Sequence, residues 1–164
     1  LDSIYLYDKN LVTEEIESYV KKAISKSDNV SHEYLIKYIG RENLKNYGIS
    51  LGATNTLQIN GDFGNTTVYD QMIYMKKLYS MIKTNYKLKS YFINDYGNFI
   101  KIDGVTNLHK YGYLNNYFHD VGIFLTDKPY ILIILTEHWN NDYKNVIKDI
   151  SNLIYKCHIG KYKL

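Results

Sequence analysis

An α+β fold is predicted by the order in which two hydrophobic periods appear along the chain. Apolar residues recur at helical spacing through the first half, extended segments joined by short turns follow, and one amphipathic helix closes the sequence. The short turns make the sheet antiparallel, because parallel strands need long crossovers.

Thr13 is placed to cap a helix with the apolar stripe Ile16, Val20, Ala23 and Ile24, and Glu14 and Glu15 suit its first turn. That helix stops near Ser25 to Asn29. A second carries Leu35, Ile36 and Ile39 and ends at Gly40, and a third sets Leu44, Tyr47 and Leu51 on one side before Gly52. Ala53 to Asn65 is polar and reads as loop. Thr67 then caps the longest helix, whose stripe runs Val68, Met72, Met75, Tyr79 and Ile82, and a short helix covers Leu88 to Ile93. Phe99 to Ile102 reads as a strand, followed by Asn107 to Leu114, Tyr117 to Thr126 and Tyr130 to Glu137, with turns at Asn115-Asn116 and Asp127-Lys128-Pro129. The last helix, about Asn141 to Cys157, offers Val146, Ile150, Leu153 and Ile154 to one face of the sheet. The chain therefore reads as a single domain over residues 1–164. A helical subdomain spans about 13–95, and the sheet with its C-terminal helix about 97–164.

Composition narrows the function classes. The 164 residues are 45% hydrophobic, enough for one buried core. A net charge of +3, from 20 basic and 17 acidic residues spread along the chain, lacks the dense basic patch of a nucleic-acid binder. Cys157, the single cysteine, excludes an internal disulfide and a cysteine-only zinc site. The histidines show no metal-ligand spacing, and His119-Asp120 would point to opposite faces of a strand, so no metal or cofactor is expected. The longest apolar run, Tyr130 to Leu135, has strand length, well short of the roughly 20 residues of a membrane span. The chain opens at Leu1 rather than Met, which leaves room for a leading segment removed by processing.

Two short motifs carry chemistry. Ser27-Asp28-Asn29 sits between two helices, and His109-Lys110-Tyr111-Gly112 lies on a strand entering a hairpin. Each alone is weak, since a Lys-x-Gly pattern arises easily by accident. Taken separately, Ser27 to Asn29 is also an inter-helix turn with Asn or Ser capping the next helix, and Lys110 a solvated strand lysine. In this order and these settings they resemble the serine β-lactamase and penicillin-binding superfamily, where a Ser-Asp-Asn loop faces a Lys-Thr-Gly strand across a cleft. The resemblance covers nearly the whole chain. Lys22 to Gly52 is similar to the family's helix, loop, helix and short helix, and Phe118-His119-Asp120-Val121-Gly122-Ile123 with Pro129-Tyr130-Ile131-Leu132 to its closing hairpin in the class A-like branch.

The resemblance implies a serine acyl-transfer hydrolase acting on β-lactams or D-alanyl-D-alanine peptides, extracytoplasmic or secreted. Ser27 would supply the relay hydroxyl, and Lys110 would steer its proton and attract the substrate carboxylate. Asn29 would donate to the substrate's acyl-amide carbonyl, while Tyr111, Gly112 and Tyr113 line the binding strand. The Tyr113 N–H would be one oxyanion donor and the nucleophile's own N–H the other. The alternative is a non-catalytic relative that binds cell-wall peptide or a protein partner in the same cleft.

Three departures from the family pattern stand out. The Ser-x-x-Lys nucleophile segment, placed about sixty residues ahead of the Ser-Asp-Asn loop, has no counterpart in Leu1 to Lys26. Ser18 to Lys21 and Ser80 to Lys83 match the pattern but sit in the wrong places. The chain alone is therefore expected to be inactive, with the Tyr130 to Glu137 edge covered by the missing segment, a companion chain or an oligomer neighbour. Tyr111 replaces the small hydroxyl residue of Lys-Thr-Gly, so either its phenol takes over the carboxylate contact or that site is altered. The Ala53 to Asn65 loop lacks the class A glutamate that activates the deacylating water, and Asp62 does not replace it, so slow turnover of the penicillin-binding type is expected.

Overall fold

The computed structural model describes residues 1–55, 65–115, 117–137 and 142–160. The chain forms two compact units, Leu1–Tyr91 and Phe92–Leu164. In the first, helices α1 (Asp2–Asp8), α2 (Glu14–Ser25), α3 (Asn29–Ile39), α4 (Arg41–Ser50) and α5 (Val68–Met81) are followed by α6 (Tyr86–Phe92), which ends at the unit boundary. In the second, strands β1 (Asn107–Leu114), β2 (Tyr117–Phe124) and β3 (Tyr130–Thr136) precede helix α7 (Tyr143–His158).

Helix starts are set by side chains that accept otherwise unpaired amides. Thr13 accepts from the Ile16 N–H, Asp28 from Ser31 and Thr67 from Asp70. Burial of the apolar stripes then joins the helices: Leu6, Val20, Leu35, Leu44, Leu78 and Leu88 are fully buried. Polar contacts lock the same packing at its margin. Glu17 accepts from the Tyr7 hydroxyl at 3.2 Å, the Tyr91 hydroxyl at 3.0 Å and Lys87 at 2.5 Å, which ties α1, α2 and α6. The hydrogen bond from Lys87 holds the Glu17 carboxyl below the usual range.

The three strands form an antiparallel sheet in the order β1-β2-β3. Register pairs Lys110 with Val121 and Gly112 with His119, then Val121 with Ile133 and His119 with Leu135. One face carries His109, Tyr111, Asp120, Phe118, Leu132 and Ile134, and the core of this unit joins that face to Ile100, Ile102 and, from α7, Ile147.

Most expected elements are present, with four corrections. Phe99 to Ile102 is a turn rather than a strand, because the Phe99 and Ile100 amides donate to the Asp120 carboxylate, not to a neighbouring strand. The buried stripe of α5 is Asp70, Tyr74, Met75 and Leu78, whereas Val68 is exposed. The buried residues of α7 are Ile147 and Ser151, whereas Ile150 is 39% and Leu153 48% exposed. In both helices a buried polar residue occupies the core face: Asp70 accepts from the Asn55 N–H at 2.8 Å, and the Ser151 hydroxyl donates to the Ile100 carbonyl at 2.6 Å. The fourth is α1, too short to register as a period, which buries Ile4 and Leu6. Most of the expected loop at Ala53 to Asn65, including Asp62, lies outside the described residues, as do Asn116 and Asn141.

Leu35 is fully buried between helices, so Leu35→Ala leaves a cavity. Its unfolding free energy in urea should fall by about 2–5 kcal/mol. A loss under about 1 kcal/mol would mean that the helices close over the gap.

Candidate active site

The Ser-Asp-Asn loop is the joint between α2 and α3, and its geometry comes from the way each helix ends. The Lys22 carbonyl accepts from both the Lys26 and Asp28 amides, and between them Ser27 adopts a left-handed backbone with φ 52°. That conformation costs a residue with a Cβ about 1–2 kcal/mol. It reverses the chain sharply enough for Asp28 to begin α3 at once. The Asp28 carboxylate accepts the Ser31 N–H at 2.8 Å, and hydrogen bonding from the Ser31 side chain, with this amide, lowers its pKa. Asp28 is thus the helix cap, a role read from sequence as belonging to Asn or Ser. Ser27 is half-buried, and Asn29 is exposed on the first turn of α3. One turn further on, His32 binds the buried Asp2 carboxylate at 2.7 Å and anchors the loop's far side to α1. Burial pushes the Asp2 pKa up, but the hydrogen bond from His32 and nearby positive charge outweigh it and hold it well below the usual range.

The second motif lies on β1, an edge strand among the described residues. Which of its backbone groups face outward follows from parity. The Leu125 amide donates to the Thr106 carbonyl, so in this register the bonded pairs are Leu108–Ile123, Lys110–Val121, Gly112–His119 and Leu114–Tyr117. The N–H and C=O groups of His109, Tyr111 and Tyr113 therefore turn to the open edge. Gly112 has no positive φ, and a Cβ built on it would meet nothing within 4 Å. The fold therefore does not require glycine there.

Lys110 is half-buried rather than solvated. Its Nζ donates to the Tyr111 carbonyl at 2.5 Å and lies 4.7 Å from the Tyr111 ring centre. Tyr111 itself is on the opposite face, stacked on Phe118 with centroids 6.2 Å apart and edge-on to Tyr96 at 5.7 Å. A Cβ at Gly97 would come within 2.3 Å of the Tyr111 ring, so glycine at 97 makes room for it. The Tyr111 ring is thus engaged in aromatic packing. Tyr113 is 63% exposed beside the open edge.

His119 and Asp120 point to opposite faces, as alternation requires. His119 lies across from Gly112, and its Nδ1 accepts the Thr136 N–H at 3.1 Å. Asp120 belongs to the core face. There its Oδ1 meets His109 Nδ1 at 3.1 Å, and its Oδ2 accepts from Phe99 at 2.9 Å and Ile100 at 3.2 Å. That buried cluster was not legible as a unit, although a lone carboxylate in the apolar run of β2 was its visible trace. Among the described residues no group of three metal-ligating side chains occurs, and no helix is long and apolar enough to cross a membrane.

The family model "Beta-lactamase enzyme family" matches residues 6–157. The chain belongs to the β-lactamase enzyme family. Solved structures agree on the fold at low identity. A β-lactamase from Sphaerobacter thermophilus is 18% identical with a TM-score of 0.74, over 86% of this chain and 62% of that one. A class A β-lactamase from Mycobacterium abscessus is 15% identical with a TM-score of 0.69, over 87% and 65%. The structure of PBP-A matches at 18% and 0.74, over 86% and 60%. This β-lactamase-family chain thus spans under two thirds of the length of these three relatives. No curated protein matches it.

Burial lowers the His119 pKa below the ordinary histidine value, so the folded state favours the neutral ring that accepts from Thr136. The unfolded chain takes up this proton first as pH falls below about 6.5, so the contribution to stability is present above that pH and lost below it. Unfolding free energy should drop between pH 7 and 5, and the slope should flatten in His119→Gln. An unchanged slope in the variant would show that another group titrates.

Proposed function

We propose that this chain supplies the relay loop and the substrate-binding strand of a serine acyl-transfer hydrolase acting on β-lactams or D-alanyl-D-alanine peptides. The observation that carries the reading is the open edge of β1, where the Tyr113 N–H turns outward beside Gly112 and Lys110 stands on the same strand. An acyl transfer needs an oxyanion donor, a cation for an anionic substrate and a proton relay. Tyr113, Lys110 and Ser27 fill these roles, with Asn29 donating to the substrate amide.

The nucleophile comes from residues outside these 164. Ser80 is unsuited to the part, since its hydroxyl donates to the Lys77 carbonyl of its own helix at 2.7 Å. Ser18 is exposed on α2, nine residues ahead of Ser27. The proton of the attacking serine passes out through its lysine, and Ser27 returns one to the leaving amine, with Lys110 favouring the deprotonated hydroxyl. Without the class A glutamate, the acyl-enzyme hydrolyses slowly. An extracytoplasmic or secreted location goes with this reading.

A non-catalytic role has one observation in its favour: the ring of Tyr111 is packed among aromatic residues where a small hydroxyl would bind carboxylate. A fluorescent penicillin decides between the readings. The natural full-length protein should be labelled covalently at a serine outside residues 1–164, and Lys110→Ala should slow labelling by about 100-fold or more. The 164-residue chain alone should remain unlabelled. Reversible peptide binding without any covalent label would establish the non-catalytic role, and labelling at Ser18 or Ser80 would overturn the assignment of the nucleophile.

A polypeptide strand is the partner that β3 needs. By the same parity as above, the backbone groups of Ile131, Ile133 and Leu135 turn away from β2, and no described strand pairs with them. No charged residue interrupts Tyr130–Thr136. The exposed Ile150 and Leu153 on α7 belong to the same unit and also await cover, at about 25 cal/mol for each Å² of apolar area. The occupant is a strand from the remainder of the family domain. The 164-residue chain should therefore dimerise or aggregate in light scattering, and Ile131→Lys should reduce this. A cooperatively folding monomer with fast amide exchange at Ile131, Ile133 and Leu135 would contradict it.

A further inference from the structure

Directly behind the Lys110 strand lies a buried polar chain that the proposed chemistry does not use. Asp120 is 0% and His109 1% exposed. The Asp120 carboxylate gathers three donors, from the Phe99 and Ile100 amides through Oδ2 and from His109 through Oδ1. Because the carboxylate accepts, the proton of the contact sits on His109 Nδ1. The Ile100 carbonyl in turn accepts from Ser151, which is 0% exposed on α7. His109 Nε2 is buried with no hydrogen-bond partner among the described residues, so the bond to Asp120 is the ring's polar anchor.

A carboxylate with no exposure is expensive to bury, and this one is retained in the middle of an apolar strand. Its three bonds connect the turn at 99–100, strand β2 and strand β1, and Ser151 adds α7. The connection to β1 is through a residue whose neighbour is Lys110 and whose own backbone faces the open edge. An edge strand has ladder bonds on one side only, so nothing described on its outer side fixes its position.

We propose that His109 and Asp120 form a positioning pair that holds the edge strand β1, and with it Lys110 and the Tyr113 N–H, in the geometry that receives substrate. The pair acts through the strand and touches no reacting atom. This assignment rests on the acyl-transfer reading for its purpose, and on hydrogen bonds within one unit for its structure. A displacement of about 1 Å in such a strand costs a reaction on the order of 100-fold.

A purely space-filling role for His109 makes the opposite prediction from a positioning role in two substitutions. His109→Leu fills the buried site with apolar volume but removes the donor to Asp120. His109→Asn is smaller and polar, but its side-chain amide reaches Asp120 from nearly the position of Nδ1. In the natural full-length protein, penicillin labelling should slow about 100-fold in the Leu variant and return to within about tenfold of the parent in the Asn variant. Amide exchange gives a second readout that needs no activity: protection at Phe99, Ile100, Lys110 and Gly112 should fall in the Leu variant and recover in the Asn variant, with Leu132 and Ile134 unchanged in both. Equal or better protection and labelling in the Leu variant would overturn the positioning role, as would loss of protection throughout the sheet. If the parent protein takes no penicillin label, the acyl-transfer reading fails, while the exchange pattern still decides whether the pair positions β1.

Discussion

The interaction on which the sheet unit depends is the burial of one carboxylate, Asp120, with three hydrogen-bond donors around it. Left unpaired at zero exposure it would cost several kcal/mol, so the chain must bring it partners before the unit can close. It draws two from backbone amides that would otherwise extend as a strand, and the third from the residue ahead of Lys110. The 99–100 turn, the seating of α7 through Ser151 and the fixing of β1 all follow from that demand. The apolar contacts among Ile100, Ile102, Phe118, Phe124, Ile134 and Ile147 supply most of the driving force, but they are non-directional. The carboxylate supplies the direction.

The helical unit repeats the device on a smaller scale. Buried Asp2 pairs with His32, and buried Asp70 accepts the Asn55 amide. Asp2 thereby ties α1 to α3, and Asp70 ties α5 to the segment that follows α4. Ser27 is held by different means. Its left-handed backbone is sustained by helix α2 closing on one side and the Asp28 cap opening α3 on the other, so the hydroxyl's place is set by two helix ends. Strain of this kind persists where the surroundings over-determine it.

The proposed site is assembled from groups of unequal visibility. Side chains supply Ser27, Asn29 and Lys110, and a motif reveals these. The oxyanion donor and the row of outward amides on β1 are backbone groups, and only hydrogen-bond parity distinguishes Tyr113 from Gly112 in that respect. Gly112 likewise becomes informative only in three dimensions, where no steric neighbour requires glycine at that position. Tyr111 shows how a bulky residue inside a motif is accommodated: its ring joins the aromatic packing of the far face.

Local patterns settled much of the architecture. Thr13 and Thr67 cap helices where expected, Gly40 ends α3, and three strands occur close to their expected limits, because capping and short-turn chemistry act over a few residues. The family, too, was legible from two motifs in the right order. Tertiary structure decided the orientation of α5 and α7, the turn at Phe99 to Ile102, and the partnership of His109 with Asp120. Each of these turns on a buried polar residue, and hydrophobic periodicity scores such a residue as facing water. Its actual place is fixed by a partner far away in sequence, 51 residues from Ser151 to the Ile100 carbonyl and 15 from Asp70 to the Asn55 amide. A pattern read along the chain records spacing, whereas satisfaction of a buried polar group depends on what packing brings to it.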